Sequence, residues 1–202
     1  MLTRLLKFGS TLVAIGVLLA SWSAVAQTEV FNSFSSAATG VGDCIVGPDD
    51  AGCATSPISQ WIAAPFVPTG SGTLDYLDVA VRYVGGTEGV VVALVNDNSG
   101  SPAPITTVLE SFTVTSLPAS TVAKPKKRLT SKAHPSLTGG NTYWVVIEPL
   151  GYDSESTWIL GTNTTPPDFS VNGGNTWASF NTIFGGSNPP YTNLPELDVY
   201  VQ

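Results

Sequence analysis

Five cations crowd into nine residues of this chain: Lys124, Lys126, Lys127, Arg128 and Lys132. At that density they could meet an anionic partner, such as an acidic polysaccharide, a lipid head group or another copy's acidic surface. The same residues fit a solvated, protease-accessible loop, or an edge strand whose lysines discourage edge-to-edge pairing. A second candidate group is aromatic. Trp177 closes the run Asn172-Gly173-Gly174-Asn175-Thr176-Trp177, and Trp158, Tyr152 and Tyr191 also have polar neighbours. An indole stacks on the C–H face of a sugar ring while an amide such as that of Asn175 hydrogen-bonds its hydroxyls. Aromatic residues also serve as core, which is the reading for Trp61 and Trp144 in their apolar runs.

Asp43, Asp49 and Asp50 lie around Cys44 and Cys53 in DCIVGPDDAGC. Their oxygens suit calcium, which takes six to eight ligands. The spacing fits no EF-hand, however, and Asp in turns commonly bonds its own backbone. Asn96-Asp97-Asn98 poses the same alternatives, and no other cofactor is suggested. Two cysteines around a Pro-Asp-Asp-Ala-Gly turn read as a local disulfide in an exported chain. Closing so short a loop would contribute roughly 2–3 kcal/mol. Zinc would need more ligands, and the one histidine is His134.

No residue set reads as catalytic. A glycosidase needs two carboxylates about 5–10 Å apart across a groove, and the sequence does not set Glu148 and Glu88 face to face. His134 has neither a Gly-x-Ser-x-Gly elbow nor a cysteine partner. Asn163-Thr164-Thr165 matches a glycosylation sequon, a frequent chance pattern.

The elements that must position these residues begin after an export signal. Arg4 and Lys7 precede the apolar run Thr11 to Ala20, and Ala24-Val25-Ala26 offers small residues for cleavage before Gln27. The run is too short to span a bilayer, which takes about 20 residues. Residues 1–26 are thus expected to be a cleaved signal and 27–202 a single domain, with no transmembrane segment left. Loss of Arg4 and Lys7 leaves six cations against 15 acids, a net charge of −9. That balance argues against nucleic acid as a partner.

Period-2 alternation recurs thereafter. Leu77, Val79, Val81 and Tyr83 share one strand face, with Asp78 and Arg82 on the other, and Gly89 to Val95 is apolar on both. Further strands are expected near Val30–Phe34, Gln60–Val67, Thr106–Thr115, Asn141–Glu148, Thr157–Gly161, Thr176–Asn181 and Glu196–Val201. No helical stripe is sustained. The expectation is an all-β antiparallel β-sandwich of jelly-roll type.

Two segments resemble a known family. Gln60-Trp61-Ile62-Ala63-Ala64-Pro65-Phe66 with Gly72-Thr73-Leu74-Asp75 is similar to the entry strands of bacterial choice-of-anchor R domains. Leu137-Thr138-Gly139-Gly140-Asn141-Thr142-Tyr143-Trp144-Val145-Val146-Ile147 resembles that family's Gly-x-x-Tyr-Trp strand, and Trp158 falls where the next strand often carries Trp. Val92-Ala93-Leu94 and its following loop fit less closely, with Ser101-Pro102-Ala103 in place of the usual Pro-Gly. The resemblance spans about Gln60 to Gly161. It implies an exported bacterial β-sandwich without assigned chemistry and carries over no catalytic residue. The family's C-terminal sorting tail has no counterpart before Gln202, so release into the periplasm or medium is expected, with surface retention requiring a ligand.

Together these features read as a secreted, non-catalytic sandwich with a structural or adhesive role. Its partner would be a polysaccharide or another envelope component. A carbohydrate-binding module using loop aromatics is the alternative, and a glycan-active enzyme the third reading.

Overall fold

A computed structural model describes residues 26–36, 42–48, 59–179, 182 and 192–202. Its strands, in chain order, are β1 (Thr28–Asn32), β2 (Gly42–Pro48), β3 (Ser59–Phe66), β4 (Gly72–Val79), β5 (Val81–Gly85), β6 (Val90–Asn96) and β7 (Val108–Val114). There follow β8 (Lys127–Thr130), β9 (Ser136–Leu137), β10 (Tyr143–Pro149), β11 (Glu155–Leu160), β12 (Asp168–Ser170), β13 (Ala178–Ser179) and β14 (Leu197–Val201). All pairings between these strands are antiparallel.

The smaller sheet runs β1-β14-β4-β8, with β9 beside β4, and the larger runs β5-β11-β2-β3-β10-β6-β7, with β12 and β13 joined to β3. Eight of these strands trace the two Greek keys of a jelly roll. In chain order β1, β3, β4, β6, β7, β8, β10 and β14 distribute as β1-β14-β4-β8 against β3-β10-β6-β7. The strands β5, β11 and β2 widen the second sheet beyond β3.

Alternation builds the core between the sheets. Leu197, Val199 and Val201 point inward from β14, Tyr143, Val145 and Ile147 from β10, and Val90, Val92 and Leu94 from β6. Phe66 stacks on Tyr143 at a centroid distance of 5.7 Å. Ala80 closes one side of the sandwich as the corner between β4 and β5. Its N–H donates to the Glu196 carbonyl and its own carbonyl accepts from Ile159, so one chain passes from the smaller sheet to the larger.

The second face of the larger sheet is apolar as well. Ala63, Ala93, Val95, Trp144 and Val146 form a separate buried cluster on it, covered from outside by Ala103 and by the half-buried Trp177. Two connections therefore fold back as a partial third layer, one between β6 and β7 and one between β12 and β13. This explains why Gly89 to Val95 is apolar on both faces.

Candidate functional site

The outer face of the larger sheet carries the candidate site, built around Trp61. Pairing of Ser170 with Trp61 and of Asp168 with Ala63 sets β12 on one side of β3. The pairing of Ile147 with Ile62 sets β10 on the other, so Glu148 lies next to Trp61 one step further on. Glu148 in turn pairs with Val91 of β6, and Val91 with Thr113 of β7. The indole of Trp61 thus sits between two strands that bear carboxylates, about 10 Å apart across β3.

A glycine turn brings Trp177 to the same outer cluster as Trp61, with Gly174 between the two rings. Ser170 Oγ, fully buried, accepts the N–H of Gly174 at 2.9 Å and donates to Asn172 Oδ1 at 3.0 Å. Asn172 then ties the turn together, accepting from Thr176 N at 3.0 Å and donating to Thr176 Oγ1 at 2.8 Å. Gly174 adopts φ +76°, and a side-chain carbon there would fall 2.9 Å from Cζ3 of Trp61 and 3.6 Å from Cζ2 of Trp177. Only glycine supplies both that left-handed backbone and that clearance.

The electrostatics of this face are one-sided. Burial pushes the carboxyls of Glu148 and Asp168 above their ordinary values. On the strands around Trp61 they are the ionisable groups facing outward, and Asp97, just past β6, adds a third acid that accepts Trp144 Nε1–H at 2.8 Å. The nearest cation on this sheet is Arg82, three strands away on β5 and already paired with Asp43 at 2.7 Å. Half-exposed indoles and under-solvated carboxylates can together engage a ligand with an apolar face and hydrogen-bond donors.

The basic cluster lies on the opposite sheet. Lys127 and Arg128 open β8, its edge strand. Arg128 donates to both oxygens of Asp78, at 3.0 and 2.9 Å, and its guanidinium lies 3.7 Å from the ring centroid of Tyr76. Lys126 bridges Asp198 at 2.8 Å and Asp78 at 3.3 Å, Lys124 faces Glu196 at 3.6 Å, and Lys127 donates to the Ser116 carbonyl. Asp78, Asp198 and Glu196 are buried. The face that carries Asp78 is covered, because Arg128 of β8 and Lys126 just before it lay their long cationic side chains across it. Lys132 is exposed, and its backbone N–H donates to Glu110 Oε1. A groove of about 500 Å³ opens between the edges β7 and β8, with Lys127, Arg128 and Lys132 on its wall.

Other candidates fall differently. Trp158 is not a surface platform: its ring is fully buried and Nε1–H donates to the Glu196 carbonyl at 3.0 Å. Its polar neighbours Ser156 and Thr157 suggested solvent, but β11 is an interior strand between β5 and β2, and both neighbours are buried too. Tyr152, 88% exposed, projects from the β10–β11 turn. Asn175 is exposed but its amide donates to the Asn172 carbonyl at 2.6 Å, serving its own turn. Cys44 is buried on β2 opposite Trp158. Its proposed partner Cys53, with Asp49, Asp50, Tyr191 and residues 1–25 of the expected signal 1–26, lies outside the described residues. Among the described residues no group of three or more His, Cys, Asp or Glu side chains could hold a metal. No described helix is long and apolar enough to cross a membrane.

Sequence reasoning assigned Trp61 to the core and did not single out Asp168. The usable signal was position: Trp61 is one residue out of phase with Ile62, which faces the core.

No protein-family model matches the chain, and no curated protein matches it. Among solved structures it is similar to two of Cwp84. One is the clostridial cysteine protease after propeptide cleavage. The other contains the cysteine protease and lectin-like domains of Cwp84, described as a surface layer associated protein of Clostridium difficile. Each has a TM-score of 0.44 at 15% identity over 80% of this chain. The chain spans 40% and 36% of their respective lengths, and their protease and lectin-like descriptions belong to those proteins.

Proposed function

We propose that this chain is an exported, non-catalytic jelly-roll module with an adhesive role, and that it adheres by binding carbohydrate on the outer face of its larger sheet. One observation carries the reading. Trp61 lies between the carboxylate-bearing strands β10 and β12, and Trp177 packs on the same outer cluster, both half-buried about Gly174. Indole faces cover the C–H side of a pyranose, and desolvated carboxylates accept hydroxyl hydrogens strongly because water satisfies them poorly. The export signal and the resemblance to choice-of-anchor R domains support a location outside the inner membrane.

A glycan array and insoluble-polysaccharide pull-downs test the reading with wild type beside Trp61→Ala and Trp177→Ala. Wild type should be retained by at least one glycan, and each variant should lose roughly tenfold or more in affinity, as expected for losing a stacked anchor. Equal retention of wild type and both variants would remove this face from the account.

A further inference from the structure

The charge around Trp61 narrows the ligand, on the footing that the face binds glycan. We infer that the sugar is cationic: an oligosaccharide of free amino sugars, with ammonium groups seated beside Trp61 and against Glu148 and Asp168. Three observations converge.

First, Glu148 on β10 and Asp168 on β12 are half-buried and flank Trp61 from both sides of β3. On the outer face of β3, β6, β7, β10 and β12 no lysine or arginine stands among the described residues. Second, four of the six lysines and arginines among the described residues are paired elsewhere. Lys124, Lys126 and Arg128 pair with buried acids of the smaller sheet, and Arg82 pairs with Asp43. Three of the four buried carboxylates among the described residues, Asp78, Glu196 and Asp198, receive a cation, and the fourth, Glu110, accepts from Ser131 Oγ and two backbone N–H groups. Third, an ammonium is attracted both to an indole face and to a carboxylate, whereas a uronate would meet repulsion from both. A neutral sugar would supply hydroxyl donors but leave the two charges uncompensated. An amino sugar provides the missing counter-charge on the same ring whose C–H face covers the indole.

Calorimetric titration at moderate salt with hexamers of glucosamine, N-acetylglucosamine and galacturonate tests the assignment. The glucosamine hexamer should bind at least about tenfold tighter than its acetylated form, the scale of one charge-assisted contact. Glu148→Gln and Asp168→Asn, near-isosteric changes whose folding is checked by thermal melts, should each remove most of that preference. Glu29→Gln, on β1 of the other sheet, should leave it intact. Affinity should pass through a maximum with pH, falling when the carboxylates take protons and again when the amine loses its own.

Equal binding of the amine and acetylated hexamers, or tightest binding of galacturonate, would overturn the cationic assignment. So would a loss in Glu29→Gln matching that in Glu148→Gln, which marks diffuse attraction to an acidic protein. If some other sugar is retained on the array while all three hexamers fail, the amine assignment alone falls. If the array retains nothing, the glycan-binding reading beneath it falls as well.

Discussion

Arg128 shows how much one side chain can be asked to hold. Its guanidinium meets Asp78 through two hydrogen bonds and covers Tyr76, which stacks on Tyr200 at 4.3 Å. Asp78 is 1% exposed, so removing its principal partner leaves a buried charge with Lys126 alone. Arg128→Met should therefore lower stability by about 1–3 kcal/mol, short of the full penalty for orphaning a buried ion because water can follow from the exposed side. Lys132→Ser, one of the same sequence cluster but exposed, should change it by less than about 0.5 kcal/mol. Urea denaturation of the two variants measures the contrast, and similar losses in both would contradict it. Cationic density was plain in the sequence, but its partners were not. They lie 50 and 72 residues from Arg128 and Lys126, and local spacing carries no information on such pairings.

At the scale of the element, the long alternating strands were legible, and the short or polar ones were not. β14 declares itself through period-2 apolar residues, and β6 and β10 through continuous apolar runs. β8 does not, because its sequence Lys-Arg-Leu-Thr offers one inward residue and three that a loop would also carry. β4 and β5 read as one strand, since the alternation continues through Ala80 while the chain changes sheets. The turn from Asn172 to Trp177 looked like an exposed aromatic loop. It is instead a hydrogen-bonded lid whose ring packs back onto the larger sheet. Gly174→Ala tests that lid. The added methyl meets Trp61 and forces an unfavourable φ, so the turn should lift, weakening glycan retention while costing only about 1–2 kcal/mol of global stability. Retention equal to wild type, with Trp177 fluorescence unshifted, would show that the turn does not position the ring.

Over the whole molecule, charge is segregated by sheet: cations cluster on the smaller, and uncompensated acids lie around Trp61 on the larger. Four carboxyls, Glu148, Asp168, Glu196 and Asp198, are pushed upward chiefly by burial, the last two despite facing Lys124 and Lys126. A carboxyl raised by folding opposes the fold while ionised. The opposition fades as pH falls through the folded value and is gone below the unfolded one. These groups should therefore raise stability as pH drops from neutral toward the ordinary carboxyl values of 3.8 to 4.5. Calorimetry should find a higher unfolding temperature at about pH 5 than at about pH 8, and the reverse order would contradict this balance of charge. The fold class was readable from composition and alternation, whereas this segregation emerges only once the two sheets are assembled. Hydroxyl-radical footprinting with a saturating glycan identified by the array tests whether the sugar sits on the outer face of the larger sheet. Protection should fall on Trp61 and Trp177 and leave Tyr200, on the smaller sheet, as reactive as before. Protection at Tyr200 with Trp61 and Trp177 unchanged would place binding on the smaller sheet and contradict a site at Trp61.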